Sequence, residues 1–157
     1  VPTAPVYSAL ALACSAKSVE NRAAAAEAIA GLCASNLFDP AGFAHQVRLL
    51  LAEKLLTAGR LAKTLEDVAH MSALSGYRVL HVLAELLNET KPAHQLLDLL
   101  GKLCVHYGVA VPVPEHLIPA PKARGVAVSA LRTIAAVEPH ATDALIAAAD
   151  EAAAVEA

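Results

Sequence analysis

Histidine is the residue type in this chain that could do the most chemistry. The seven histidines are spread along the whole sequence, at His45, His70, His81, His94, His106, His116 and His140. No two of them stand three or four residues apart, the spacing that puts two zinc ligands on one helical face, and HExxH is absent. His81 with Glu85, and His94 with Asp98, are separated by four residues and could each supply two ligands. We favour the simpler interpretation, in which each is a solvent-facing hydrogen-bonded pair.

The other reactive residue types give no catalytic pattern. The three cysteines, Cys14, Cys33 and Cys104, form no CxxC motif, and each falls at an apolar helical position where a free thiol is inert. A reducing compartment, the cytoplasm, is the simplest setting for them. The sequence contains no GxSxG motif, and its seven glycines are scattered, so no loop could cradle a phosphate. We therefore expect no enzymatic activity, no cofactor and no bound metal.

Composition narrows the class of partner. Twelve basic and fifteen acidic residues give a net charge of −3, without the basic excess that is typical of a nucleic-acid-binding protein. Two Phe, three Tyr and no Trp offer no aromatic platform for stacking bases. No apolar run reaches the ~18 residues that a membrane-spanning helix needs. A protein partner is the expectation that remains.

Apolar periodicity predicts an all-α chain. Ser18 is a good N-cap for the second helix, and Asp39 followed by Pro40 is a strong start for the third. Period-3.6 patterns and helix-breaking residues together predict eight helices, at about 5–15, 19–34, 38–59, 62–74, 77–89, 92–107, 124–137 and 141–155.

Three of the predicted helix ends are marked by glycine. Gly59 is expected to close the third helix, Ser75-Gly76 the fourth, and Gly108 follows the sixth. The fifth helix is apolar on most sides, so we expect Leu83 and Leu86 to be covered by neighbours on two sides.

The stretch 109–122 interrupts the helices. Four prolines within "VAVPVPEHLIPAP" exclude a helix interior and predict an extended connection. Four apolar residues of this connection are expected to lie across a helical surface: Val111, Val113, Leu117 and Ile118.

The helices predict one repeat domain over 1–157. The first members of successive hairpins start near 5, 40, 77 and 123, and such offsets lie in the range of HEAT and armadillo repeats. We expect a HEAT/armadillo-like α-solenoid of about four antiparallel hairpins, cut from a longer chain. Its last helix, in the acidic segment 139–157, is expected to act as a C-terminal cap.

Four stretches carry a resemblance to known helical-repeat proteins. "SVENRAAAAEAIAGL" (18–32) resembles the second helix of a HEAT repeat. "GRLAKTLEDVAHMSALSGYRVLHVLAELL" (59–87), "LLDLLGKLC" (96–104) and "ARGVAVSALRTI" (123–134) are similar to the C-terminal part of an uncharacterised actinobacterial family of large helical-repeat proteins. Members are often encoded near proteins with WGR or SWIM domains. The resemblance implies a helical scaffold and brings no catalytic or ligand-binding residue.

In stacked hairpins the second helices usually line the side that receives a partner. On the second helices of the middle hairpins, the residues predicted to be exposed are Lys63, Glu66, Asp67, His70, His94, Asp98 and Lys102. The alternative is a HEAT-like nucleic-acid-binding module. This alternative would be favoured if five basic side chains lay on one face: Arg48, Lys54, Arg60, Lys63 and Lys102.

The first helix has few polar residues, so its outer side cannot be a solvated cap. Its predicted inward stripe consists of Val6, Leu10, Ala13 and Cys14. We expect residues 1–15 to pack against a preceding repeat in the intact protein. In isolation that surface is expected to self-associate.

Overall fold

The computed structural model describes residues 3–87 and 93–109, and beyond these 111, 113–114, 117, 120, 122–125 and 128–130. These residues contain six helices of ten to fifteen residues and no β-strand. The helices are α1 (Ala4–Ala13), α2 (Val19–Cys33), α3 (Pro40–Ala52), α4 (Ala58–Ala69), α5 (Ala73–Leu86) and α6 (His94–Tyr107). The predicted all-α class is confirmed.

The helices pack in two series that follow the order of the chain. In one series α1 lies against α3 and α3 against α5; in the other, α2 lies against α4 and α4 against α6. The two series meet through α1 with α2, α5 with α6, and the contacts of α5 with α2 and α4. Every helix except α3 therefore has neighbours both along its own series and across to the other, whereas α3 packs mainly against α1 and α5 of its own series.

Helix α5 is the most enclosed element. It contacts α3 in its own series and α2, α4 and α6 in the other, and eight of its fourteen residues are buried. Leu83 and Leu86 are 2% and 3% exposed, which confirms their predicted burial. A helix whose apolar residues spread around most of its circumference is stable in water only when it is covered in this way.

Several predicted helix ends are confirmed by the capping geometry. The hydroxyl of Ser18 accepts a hydrogen bond from the Asn21 amide at 3.2 Å at the start of α2. Asp39 is at the N-cap position of α3 and Pro40 is its first residue, although the Asp39 side chain makes no capping hydrogen bond. Gly108 ends α6 in the left-handed conformation, with φ of 63°, which glycine adopts without steric cost.

Gly59 and Ser75-Gly76 do not end helices as predicted. Gly59 is the second residue of α4, and α3 already ends at Ala52. Ser75 and Gly76 are buried in the first turn of α5, where the Ser75 amide donates to the hydroxyl of the N-cap Ser72 at 3.0 Å. Glycine near a helix start costs little, so other requirements can place it there.

For Gly76 that requirement is a close approach by Tyr107 of α6. The Tyr107 hydroxyl passes over the Gly76 backbone and donates to the Ala69 carbonyl at 3.3 Å. The Tyr107 ring also packs on Tyr77, with ring centroids 4.7 Å apart. This contact fastens the end of α6 to the end of α4 across the start of α5.

The other three aromatic residues fix α1 to α3. Tyr7 meets Phe38 and Phe43 edge to face, with centroids 6.0 and 5.7 Å away, and its hydroxyl accepts from the Asp39 amide at 2.9 Å. Tyr7 is therefore buried and Val6 is 44% exposed, so the predicted inward stripe of α1 was wrong at Val6. The buried side of α1 is centred on Tyr7, Ala11 and Cys14.

The proline-rich connection lies on the core where it is described. Val111 is 1% exposed, and Val113 and Leu117 pack against the buried cluster, as predicted. Ile118 and the acidic segment 139–157 lie outside the described residues. Of the helix predicted at 124–137, residues 128–130 are helical, whereas Arg124 and Gly125 are described and are not, so the predicted start at 124 was wrong.

Two glycine substitutions test this packing in opposite directions. A Cβ on Gly76 would fall on the Tyr107 hydroxyl and ring, so Gly76→Ala should lower the free energy of unfolding by about 1–3 kcal/mol. A Cβ on Gly31, inside α2, would meet nothing within 4 Å, so Gly31→Ala should raise it by roughly 0.5–1 kcal/mol. Urea melts followed by circular dichroism measure both changes. If Gly76→Ala were as stable as the parent, the Tyr107 contact would be wrong.

Candidate functional site

The surface formed by α2, α4 and α6, here called the even-helix face, contains two grooves that flank α4. The α2–α4 groove has a volume of about 330 Å³ and the α4–α6 groove about 250 Å³. The first is lined by Val19, Arg22, Ala23, Gly59, Arg60, Lys63, Thr64 and Asp67. The second is lined by Gly59, Ala62, Lys63, Glu66, Gln95, Asp98, Leu99 and Lys102. Gly59 and Lys63 belong to both grooves.

Five of the predicted partner-binding residues line these grooves. Glu66 of α4 lies between two lysines: its Oε2 is 3.5 Å from Lys102 Nζ on α6, and its Oε1 is 3.9 Å from Lys63 Nζ. Lys63 Nζ is also 3.5 Å from Asp67 Oδ1, and Asp98 lies further along the α4–α6 groove. Both lysine side chains are 71% exposed, so these ion pairs contribute little stability and can exchange for a partner's charges.

The two predicted histidines lie elsewhere. His70 is the C-cap of α4, and its ring centroid is 6.4 Å from that of His106 in the last turn of α6. His94 is the first residue of α6, is exposed, and is not among the lining residues of either groove. Within residues 93–109 it forms no ion pair with Asp98, whose Oδ1 is buried without a hydrogen-bond partner. The predicted His94–Asp98 pair is therefore not formed.

The other spaced pair, on α5, is formed but is not solvent-facing. His81 Nε2 is 3.5 Å from Glu85 Oε1, and the two side chains are only 17% and 27% exposed. Among the described residues, no three histidine, cysteine or acidic side chains come together in a way that could hold a metal ion.

The partner-binding residues predicted from the sequence do not include two arginines at the start of the even helices, and Arg60 was considered only for the nucleic-acid alternative. Arg22 Nη1 donates to the carbonyls of Ala16 and Lys17, at 2.6 and 3.0 Å, and Arg60 Nη1 donates to that of Ser15 at 2.8 Å. Both guanidinium groups are thus anchored on the turn between α1 and α2. The third helix was predicted to end at Gly59, which placed Arg60 in a loop. In the structure Arg60 lies in the first turn of α4.

The anchored arginines give the α2–α4 groove a positive end. Arg22, Arg60 and Lys63 line it against one carboxylate, Asp67. The N-termini of α2 and α4 lie side by side there, and their helix dipoles add a field of the same sign. This end of the groove attracts anions.

The five basic residues that would favour nucleic acid do not share a face. Arg60, Lys63 and Lys102 line the grooves of the even-helix face, whereas Arg48 lies within α3 and Lys54 in the turn after it.

The three cysteines are buried among apolar side chains. Burial raises the pKa of Cys14 to about 11 and the pKa values of Cys33 and Cys104 to about 12. The Cys14 thiol also donates to the Leu10 carbonyl at 3.4 Å. Because the thiolate is the reactive form, the predicted inertness has a direct physical cause.

Comparison with known proteins adds no relative. No protein-family model, curated protein or solved structure matches the chain. Among the described residues, no helix combines the length and the apolar character that crossing a bilayer requires.

The buried thiols predict a pH effect. Ellman's reagent at pH 8 should leave the folded protein unmodified and label all three thiols in urea. The folded state keeps thiol protons that the unfolded chain releases above about pH 9, so stability should fall as pH rises from about 9 towards 11. The urea midpoint measured at pH 8 and 10.5 should drop more for the parent than for Cys33→Ala. Rapid labelling of the folded protein would show that the thiols are accessible.

Proposed function

We propose that this chain is a non-catalytic, HEAT/armadillo-like α-solenoid that holds a protein partner on its even-helix face. The observation that carries the proposal is the order of the helices: alternate helices pack in two series along the chain, and the two series meet through α1 with α2 and through α5 with α2, α4 and α6. Stacked hairpins produce this order, and in such arrays one series of helices lines the partner-binding side.

The spacing of the first helices of the hairpins supports the repeat interpretation. α1, α3 and α5 begin at residues 4, 40 and 73, which are 36 and 33 residues apart. These offsets lie within the range of helical repeats in general and are shorter than the roughly 40–47 residues of HEAT and armadillo repeats. α5 is covered from both series, as an internal repeat requires. The resemblance of 59–87 and 96–104 to the actinobacterial family agrees with this proposal. Three unpaired, buried cysteines agree with a cytoplasmic location.

The charges on the even-helix face favour a protein partner over a nucleic-acid partner. Glu66, Asp67 and Asp98 alternate with Lys63 and Lys102 along it. A phosphate backbone crossing both grooves would meet these carboxylates, and its repulsion would offset the attraction of the lysines. A protein surface can match charges of both signs.

Site-specific photo-crosslinking tests this proposal. Benzoylphenylalanine placed at Lys63 or Lys102 should crosslink one partner in cells of the source organism. The same group at His45 or Leu49, on the exposed side of α3, is the matched control and should not. The partner, identified by mass spectrometry and purified, should lose at least tenfold in affinity for Lys63→Glu/Lys102→Glu. Crosslinking from α3 alone would move the binding face and contradict the proposal.

We also propose that the outer side of α1 associates with a second copy when the chain is isolated. Val6, Ala9 and Leu12, at a spacing of three residues, are exposed, and α1 carries no charged residue. A contiguous apolar stripe of this kind favours association.

Light scattering over a concentration series checks this self-association. The apparent mass should rise with concentration for the parent and stay at one chain for Val6→Glu/Ala9→Glu. Ala41→Glu/Leu49→Glu adds the same charge on exposed positions of α3 and should behave like the parent. A parent chain that is monomeric at every concentration would refute the association.

A further inference from the structure

The α2–α4 groove has a charge opposite to that of the chain as a whole. The chain carries a net charge of −3, yet Arg22, Arg60 and Lys63 line this groove against Asp67 alone. We propose that the groove binds a short, extended acidic segment of the protein partner. This inference rests on the proposed function and names the chemistry of the partner.

The arginines are already held in position for a carboxylate. Each guanidinium is anchored through Nη1 to backbone carbonyls of the turn 15–17. A guanidinium has five N–H donors in a rigid fork, so one anchored edge leaves a second edge that can bind a carboxylate through two hydrogen bonds. Because the side chains are held before binding, little rotamer entropy is lost when the carboxylate arrives.

The apolar part of the groove restricts the form of the segment. Val19, which is 68% exposed, and Ala23 line the side formed by α2. An extended segment presents side chains along its whole length, so its acidic residues can reach the arginines while its apolar residues contact Val19 and Ala23. A volume of about 330 Å³ accommodates a few side chains, so a short linear segment fits better than the surface of a folded domain.

The neighbouring charges argue against a nucleic-acid occupant. Lys63 Nζ lies 3.5 Å from Asp67 and 3.9 Å from Glu66, so the positive end is closed by carboxylates on the α4 side. A nucleic acid carries a negative charge on every nucleotide, so its phosphates would pass close to these carboxylates and be repelled by them. A peptide whose acidic residues occupy only the positive end avoids that repulsion.

Fluorescence anisotropy with a designed probe tests the proposal. The probe is a fluorescein-labelled ten-residue peptide of alternating Glu and Val, measured at 0.15 M salt so that distant charges are screened. The full chain should bind it at least tenfold more tightly than the matched peptide of alternating Gln and Val. Lys63→Glu should weaken binding of the Glu peptide at least fivefold.

Lys102→Glu is the matched control, because it makes the same charge change on an equally exposed lysine in the α4–α6 groove. It should change the affinity less than twofold, and circular dichroism should show that both variants remain folded. Equal weakening by both variants, or equal binding of the Gln peptide, would overturn the proposal. Displacement of the Glu peptide by a single-stranded oligonucleotide at lower concentration than by unlabelled peptide would also overturn it.

The chain's own acidic residues are the remaining alternative occupant. The residues to be changed to the corresponding amides are Asp143, Asp150, Glu151 and Glu156. If the changed chain binds the probe more tightly, the groove is assigned to these residues and the proposal is overturned. The two proposals fail separately. A partner that crosslinks from Lys63 and Lys102, without peptide binding, removes only the acidic-segment inference. Peptide binding without any partner on the even-helix face removes the proposed function.

Discussion

The architecture depends on the burial of α5. Its apolar residues cover too much of its circumference for a single neighbour to bury them, so the helix requires α3 on one side and α2, α4 and α6 on the other. Burial of the apolar residues of α5 therefore positions helices of both series at the same time. The alanine-rich α2 can come near enough to contribute because its buried residues Ala25 and Ala26 have small side chains. The grooves of the even-helix face are a consequence of the spacing that this packing sets.

Local patterns in the sequence predicted most of the helices, and long-range contacts account for the errors. Ser18 and Gly108 act within one helical turn, and their effects were predicted correctly. The start of α3 at Asp39 and Pro40 was also predicted correctly, although the Asp39 side chain makes no capping hydrogen bond. Gly76 was misread as a helix end because its role is to admit Tyr107, a residue 31 positions later. Periodicity contains no information about such a partner. The same limit applies to α1, where ring contacts with Phe38 and Phe43 bury Tyr7 and leave Val6 exposed.

The candidate site was predictable to the same degree. Lys63, Glu66, Asp67 and Lys102 were found because helical periodicity shows which polar positions point outward. Their meeting across two helices could not be read from either helix alone. The anchoring of Arg22 and Arg60 in the groove was not predicted because each depends on a hydrogen bond to a turn, and for Arg60 that turn lies 45 residues earlier in the chain. Anchored arginines of this kind resemble ordinary surface residues in the sequence.

The Tyr107 contact has a mechanical consequence. Its hydroxyl reaches the last turn of α4 across the first turn of α5, so three successive helices share one point of attachment. Under tension along the chain, α5 and α6 could not peel away as a hairpin without also releasing the end of α4. The unit that yields to force would thus be larger than one hairpin, whereas ideal helical repeats detach one at a time.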